Sequence, residues 1–348
     1  MSSDLIAVAG SSHSPMLSSE GRSIWQSRAE SDRNGSTELI DVAGRRWAYD
    51  DLLAGGAGAE PDVDRWLGEH LRARTAMARL GKDLEALDLD LAVIVGDDQL
   101  EMFDASSMPA IALYSGPEVP LEPLEGMPAP LREAFRDLGN DGSVRQGDPD
   151  AAVQLVRSLT ESGIDITVVG GIGSGRAIGH AYGAIAKQLV PDPSIRIVPV
   201  FLNTYYEPNQ PTPRRCHELG AALRRAIEAL AGNRRVAVIA SGGLSHFIVD
   251  QELDHLVLAA MENGDHERLQ QLATPGLESG TSEIRNWVCA AGAIGDLGFR
   301  WSEYVPVVRT AAGTGTGLAF ALWSAEARAE PREAAMTSGT PEGERDHG

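Results

Sequence analysis

The chain has 348 residues, enough for one large α/β domain or two small ones with a sizeable core. Hydrophobic residues make up 43% and charged residues 23%, an ordinary globular balance, and no apolar run approaches the roughly 20 residues that cross a bilayer. A formal charge of −20 argues against nucleic-acid or anionic-membrane partners.

Two cysteines, Cys216 and Cys289, are too few for a disulfide framework or a cysteine-rich zinc site. The N-terminus enters an apolar run without a basic leader, so a cytoplasmic protein is expected. In chain order, short β-branched runs occur at Leu5–Ala9, Leu91–Val95, Ile166–Val169, Ile195–Leu202 and Val236–Ala240. Helical-period segments lie between them. Leu219, Leu223, Ile227 and Leu230 recur at helical spacing, and Gly232 follows as a C-terminal cap. This alternation predicts an α/β fold with a mainly parallel or mixed central sheet flanked by helices. Residues 20–75 are polar and Gly-rich and are expected to form an excursion or helical insertion, with 115–150 as a surface connection. Residues 1–325 are expected to form a single domain. Residues 326–348 carry little to bury and are expected to be disordered.

Four of the strand-like runs end in polar clusters: "GSSHSPML" with His13, "GDDQLEMF", "NTYYEPNQPTPRRC", and "SGGLSHFIVD" with His246. The C-terminal ends of parallel strands share one edge, so these clusters are expected to converge into one pocket. Taken singly, each residue also has a plain structural reading. A His after a Ser-Ser turn is commonly a loop residue, and Glu283 in "SGTSEIRNW" stands where an acid favours a helix N-terminus. The stretch "GSGRAIGH" resembles a phosphate loop but lacks both the GxGxxG pattern and the P-loop lysine. His70, His217, His255 and His266 lie in charged helical stretches and are expected at the surface. An anionic substrate needs a local basic pocket, for which Arg176, Arg214, Arg215 and Arg285 are candidates.

Together the motifs "GSSHSPML", "GDDQLEMF", "GRAIGHAYG", "PVFLNTYYEPNQPTPRRC", "ASGGLSHF" and "SGTSEIRNWVCAAGA" resemble the class III extradiol ring-cleavage dioxygenases, the superfamily of the protocatechuate dioxygenase catalytic chain. The resemblance implies a non-haem Fe(II) enzyme that opens a catechol-type aromatic, carboxylated or not, with O₂. It places the metal at the C-terminal strand edge and implies a homo-oligomer. His13 and Glu283 match two iron ligands, His246 matches the acid/base histidine, and His180 looks like a histidine facing the substrate. A two-histidine, one-carboxylate face leaves open iron positions for the diol and for O₂.

The chain departs from that pattern at the second iron histidine, whose place is held by Gln99. Three readings stand. The Gln99 amide oxygen ligates the metal, a neighbouring carboxylate (Asp97, Asp98 or Glu101) replaces it, or the pocket is reused without metal. Gln99, which occupies the family ligand's position, is the first choice. A metal-dependent hydrolase or lyase using Zn²⁺ or Mn²⁺, or a non-catalytic paralogue, are the alternative functions.

Overall fold

A computed structural model describes residues 2–56, 58–122, 126–173 and 176–325; the expected disordered tail, 326–348, lies outside them. Nine strands form one sheet: β1 (Asp4–Ser11), β2 (Leu91–Asp97), β3 (Ile111–Tyr114), β4 (Thr167–Val169), β5 (Arg196–Leu202), β6 (Arg235–Ser241), β7 (His246–Ile248), β8 (Gly298–Val308) and β9 (Thr314–Ser324). Their order is β7-β9-β1-β6-β2-β5-β3-β4, with β8 paired to β9. Strands β1, β6, β2 and β5 run parallel, while β9 is antiparallel to β1 and β3 to β5. The sheet is therefore mixed around a parallel centre.

The five apolar runs read from sequence all fall in strands. Leu91, Val93 and Val95 face one core, and Ala92 and Ile94 face the other. Val236, Val238 and Ala240 against Ala237 and Ile239 repeat that alternation. Period-two patterning with both faces buried needs helices on both sides. On one side lie α4 (Pro149–Glu161), α6 (Pro213–Glu228), α7 (Gln251–Glu262) and α8 (Ile284–Ile294). On the other lie α1 (Gly21–Arg33), α2 (Val63–Glu85), α3 (Ala129–Leu138) and α5 (His180–Gln188). Each fully buried aliphatic side chain in these layers contributes about 1.5–3 kcal/mol. Among the described residues, no helix is long and apolar enough to cross a membrane.

Of the segments between the strands, one departs from the sequence expectation, the 115–150 connection. The excursion at 20–75 contains α1, whose Ile24 and Trp25 are buried, and the start of α2. The 115–150 connection is more than surface: α3 buries Ala134, Phe135 and Leu138, because its few apolar residues sit at helical spacing on one face. The helix expected to end at Gly232 closes earlier, at Glu228, where the amides of Ala229 and Leu230 turn back onto Arg225 and Ile227.

Candidate metal centre and aromatic pocket

The parallel strands β1, β6, β2 and β5 deliver their C-terminal ends side by side, and the polar clusters meet there. His13 follows β1, Gln99 follows β2, Tyr205 follows β5, and Gly242 and Gly243 follow β6. His13, Gln99, His180, Tyr205, His246 and Glu283 line one cavity of about 190 Å³. All five residues expected in the site therefore share a single pocket, although β7 and the turn before α8, which carry His246 and Glu283, come from elsewhere in the chain.

Hydrogen bonds fix the tautomer of His13. The Ser241 hydroxyl lies 2.5 Å from the Ala181 carbonyl, a pure acceptor, so its one proton goes there. The 2.9 Å contact with His13 Nδ1 must then be Nδ1–H donating to Ser241. His13 Nε2 is left as a bare lone pair, 3.8 Å from Glu283 Oε1 and beyond hydrogen-bond range. Burial first, then His180 and His246, hold His13 well below the ordinary imidazole range, so it is neutral. Locking one ring nitrogen so that the other faces a metal is the usual arrangement behind a metal-binding histidine.

His246 follows the same logic. Its Nδ1 donates to the Leu244 carbonyl at 2.8 Å, leaving Nε2 free 3.6 Å from Glu283 Oε2. Burial pushes it down to about 4, further than the neighbouring groups can offset. Gly242 (φ 150°) and Gly243 make this approach possible. A Cβ at Gly242 would stand 2.9 Å from the Glu283 carboxylate, and one at Gly243 would stand 2.6 Å from the His246 ring. The next residue, Phe247, lines the cavity from a left-handed backbone (φ 66°).

Glu283 does not cap the helix it precedes. Its Oε2 accepts instead from the Gly243 amide at 2.7 Å. One ligand atom each from His13, Asp97 and Glu283 lie within 4.8 Å of one another. Donors about 2.0–2.2 Å from a shared ion stand at most roughly 4.4 Å apart, so a small inward shift closes this set. Asp97 is fully buried, and its Oδ1 has no hydrogen-bond partner among the described residues. An orphaned buried carboxylate oxygen is costly unless something cationic meets it. Burial, then Glu283, raises Asp97 to about 7, and burial raises Glu283 to about 7 as well. Two carboxylates that resist ionising together, beside two bare imidazole nitrogens, fit a divalent cation.

The other two carboxylates of "GDDQLEMF" are otherwise engaged. Asp98 accepts from the amides of Leu100, Met102 and Phe103 and so builds the turn. Glu101 pairs with His180 Nδ1 at 2.5 Å, both side chains buried. Burial alone would depress His180, but Glu101 and the other acids raise it to about 9, so this ring is an imidazolium. The Gln99 amide nitrogen donates to Asp97 Oδ2 at 3.2 Å, which directs that carboxylate.

Of the four arginines proposed from sequence, none lines the cavity. Arg285 is buried and donates to the carbonyls of Pro211, Thr204 and Leu277, tying loops together. Arg176 holds Phe103 and Asp104, Arg215 holds Gly163 and Glu218, and Arg214 is exposed. Arg28 and Arg309 line it instead. Of the histidines expected at the surface only His255 is exposed; His70, His217 and His266 are half-buried, His70 stacked on Trp66. Met127, Leu131 and Phe135 supply an apolar wall that the sequence did not reveal, since they lie in the stretch read as surface connection.

A mixed α/β sheet with a buried imidazole–carboxylate cluster at the C-terminal ends of its parallel strands defines an α/β protein with a candidate metal site beside a small pocket. The family described as the catalytic LigB subunit of aromatic ring-opening dioxygenase matches residues 140–319, and the chain belongs to that family. It is similar to a gallate dioxygenase of Pseudomonas putida, 33% identical over 134 residues, which is 34% of this chain and 38% of that protein. It is also similar to two 2,3-dihydroxyphenylpropionate/2,3-dihydroxicinnamic acid 1,2-dioxygenases. The one from a Mycobacterium species is 32% identical over 53% of this chain and 52% of that protein. The one from Mycolicibacterium smegmatis is 35% identical over 49% and 48% respectively. The chain thus spans between about a third and a half of the curated relatives it matches.

Proposed function

We propose that the protein is an Fe(II)-dependent extradiol dioxygenase that opens a single-ring catechol with O₂. The observation that carries this is the bare Nε2 of His13 beside the orphaned Asp97 and the Glu283 carboxylate, with His13 and Glu283 lining a cavity of about 190 Å³. Relatives named as gallate and dihydroxyphenylpropionate dioxygenases support it.

His13, Asp97 and Glu283 would hold the ion, and Gln99 would orient Asp97 without touching the metal. Asp97 is preferred to Gln99 as third donor because its Oδ1 is a fully buried carboxylate oxygen without a hydrogen-bond partner among the described residues, in reach of His13 and Glu283. When bound, the metal supplies adjoining positions for the two diol oxygens and for O₂. The protein's own groups do the rest. His246, neutral and fixed by Leu244, accepts a phenolic proton at Nε2 and later returns it, a contribution of roughly 10²–10⁴-fold. The His180 imidazolium, anchored by Glu101, faces the pocket and stabilises the negative charge of the deprotonated diol. Met127, Leu131 and Phe135 hold the ring and exclude water. Buried, unpaired Cys216 and Cys289 fit a reducing, cytoplasmic setting.

Anaerobically prepared, Fe(II)-loaded protein is expected to consume O₂ with protocatechuate, gallate or catechol and yield a yellow ring-opened acid. Loaded protein inert towards all of them would rule this reading out. A second reading, a hydrolase or lyase with Mn²⁺ or Zn²⁺, is favoured by one observation only: two carboxylates against one imidazole suit a harder ion.

A further inference from the structure

On the cavity wall, α1 presents a face of Ile24, Arg28 and Asp32, spaced four residues apart. Ile24 and Asp32 are buried, and Arg28 is half-buried between them. The default partner for Arg28 would be Asp32 on the same face, but Asp32 is engaged elsewhere. It accepts from Arg309 Nε at 3.0 Å and Nη2 at 3.4 Å, and from the Thr314 hydroxyl at 2.6 Å. Among the described residues, no carboxylate or carbonyl stands within hydrogen-bond or ion-pair distance of the Arg28 guanidinium. In a chain of net charge −20, an arginine at a cavity wall without an acid on it is out of keeping with the surroundings.

We propose that Arg28 is the residue that selects an anionic substrate, pairing through its guanidinium fork with a carboxylate carried by the aromatic ring or by a short arm on it. This rests on the ring-cleavage reading for the reaction, but not for the binding. Arg28 and Arg309 share the pocket with Tyr205, His246, Phe247 and Thr316. Arg309 is already paired with Asp32 and His180 with Glu101, so among the described residues Arg28 is the cationic side chain of the pocket without a hydrogen-bonded acid. Burial first, then the neighbouring Arg309, lowers the proton affinity of Arg28, and Asp32 and Tyr205 offset this only in part. A guanidinium meets a carboxylate with two parallel N–H···O bonds, a geometry that a lysine cannot reproduce. The volume agrees. A cavity of roughly 150 Å³ accepts benzene, so about 190 Å³ has room for one ring with a small acidic group.

The test is anaerobic calorimetric titration of the metal-loaded protein with protocatechuate and with catechol, which reads binding without turnover. Wild type is expected to bind the acid at least ten-fold more tightly than catechol. Arg28→Met, which keeps the apolar stem, is expected to lose roughly 10- to 100-fold in affinity for the acid, the range of a charge-assisted hydrogen bond, and to bind catechol within about two-fold of wild type. Arg28→Lys is expected to retain part of the preference. Where turnover occurs, the loss should fall on KM with kcat nearly unchanged. Equal affinity for both ligands in wild type, or an acid preference that survives Arg28→Met, overturns the assignment. So does a lowered melting temperature in Arg28→Met with the preference intact, which would mark Arg28 as structural. If neither ligand is turned over yet the preference is present and vanishes with Arg28, the ring-cleavage reading fails and this one stands.

Discussion

Replacing Asp97 by Asn separates the two accounts of the strand end. The amide is nearly isosteric, keeps an oxygen to accept the Gln99 amide at 3.2 Å, and removes one charge from a fully buried cluster. In wild type, burial and Glu283 hold Asp97 up to about 7, and burial does the same for Glu283. Above neutral pH the metal-free protein therefore carries two ionised acids that burial and mutual repulsion oppose. Asp97→Asn relieves that opposition, so its metal-free melting temperature at pH 8 should equal or exceed wild type. Its metal affinity should move the other way. Removing a partner that only orients a ligand costs roughly 10–100-fold, so loss of a donor should exceed 100-fold, about 2.7 kcal/mol. Gln99→Ala, which loses only the orienting bond, should stay within that 10–100-fold range. Anaerobic Fe(II) titration of metal-depleted protein, with stoichiometry from metal analysis, reads both. Wild-type Fe(II) affinity in Asp97→Asn together with loss of metal in Gln99→Ala would refute the reasoning and return the ligand to Gln99.

Other outcomes follow from the same geometry. Asp97, Asp98 and Glu283 are each raised to about 7, for all three chiefly by burial. A raised carboxyl contributes stability that is complete below about pH 4 and lost as pH climbs through 7. The metal-free melting temperature should accordingly fall between pH 5 and pH 8, while the stabilisation by added Fe(II) grows over that window; thermal melts that rise instead would contradict the burial of these acids. His246→Ala should keep Fe(II) binding near wild type while kcat falls by roughly 10²-fold or more, whereas loss of metal would make His246 a ligand. Glu101→Gln removes the main partner that lifts His180 to about 9, and NMR titration of the imidazole should find it neutral at pH 8.

The parallel centre of the sheet is legible because Leu91–Val95 and Val236–Ala240 are unbroken β-type runs, buried on both faces. The antiparallel part is not. In β9, "TGTGLAFALWS" begins with alternating Gly and Thr, which reads as turn chemistry until β1, β7 and β8 pair with it. His13, His246 and Glu283 are signalled by strand ends and paired glycines, whose role proves to be admitting Glu283 and the His246 ring. The division of labour within "GDDQLEMF" is hidden, since four oxygen-bearing side chains in five positions look alike until distances separate them. Among the described residues, Asp97 Oδ1 is the carboxylate oxygen of this stretch buried without a partner, while Asp98 holds three amides and Glu101 holds His180. Arg28 gives no sequence signal. Its significance arises from Asp32 being engaged by Arg309, a residue 277 positions away.

If the pocket opens an aromatic ring as proposed, both atoms of O₂ end up in the product. Reaction of Fe(II)-loaded protein with protocatechuate under ¹⁸O₂, followed by mass analysis of the product, tests it most directly. The account predicts one ring-opened acid carrying both labelled atoms and one O₂ consumed per ring. An unlabelled product, or a substrate left intact by fully loaded protein with every candidate catechol, would contradict it.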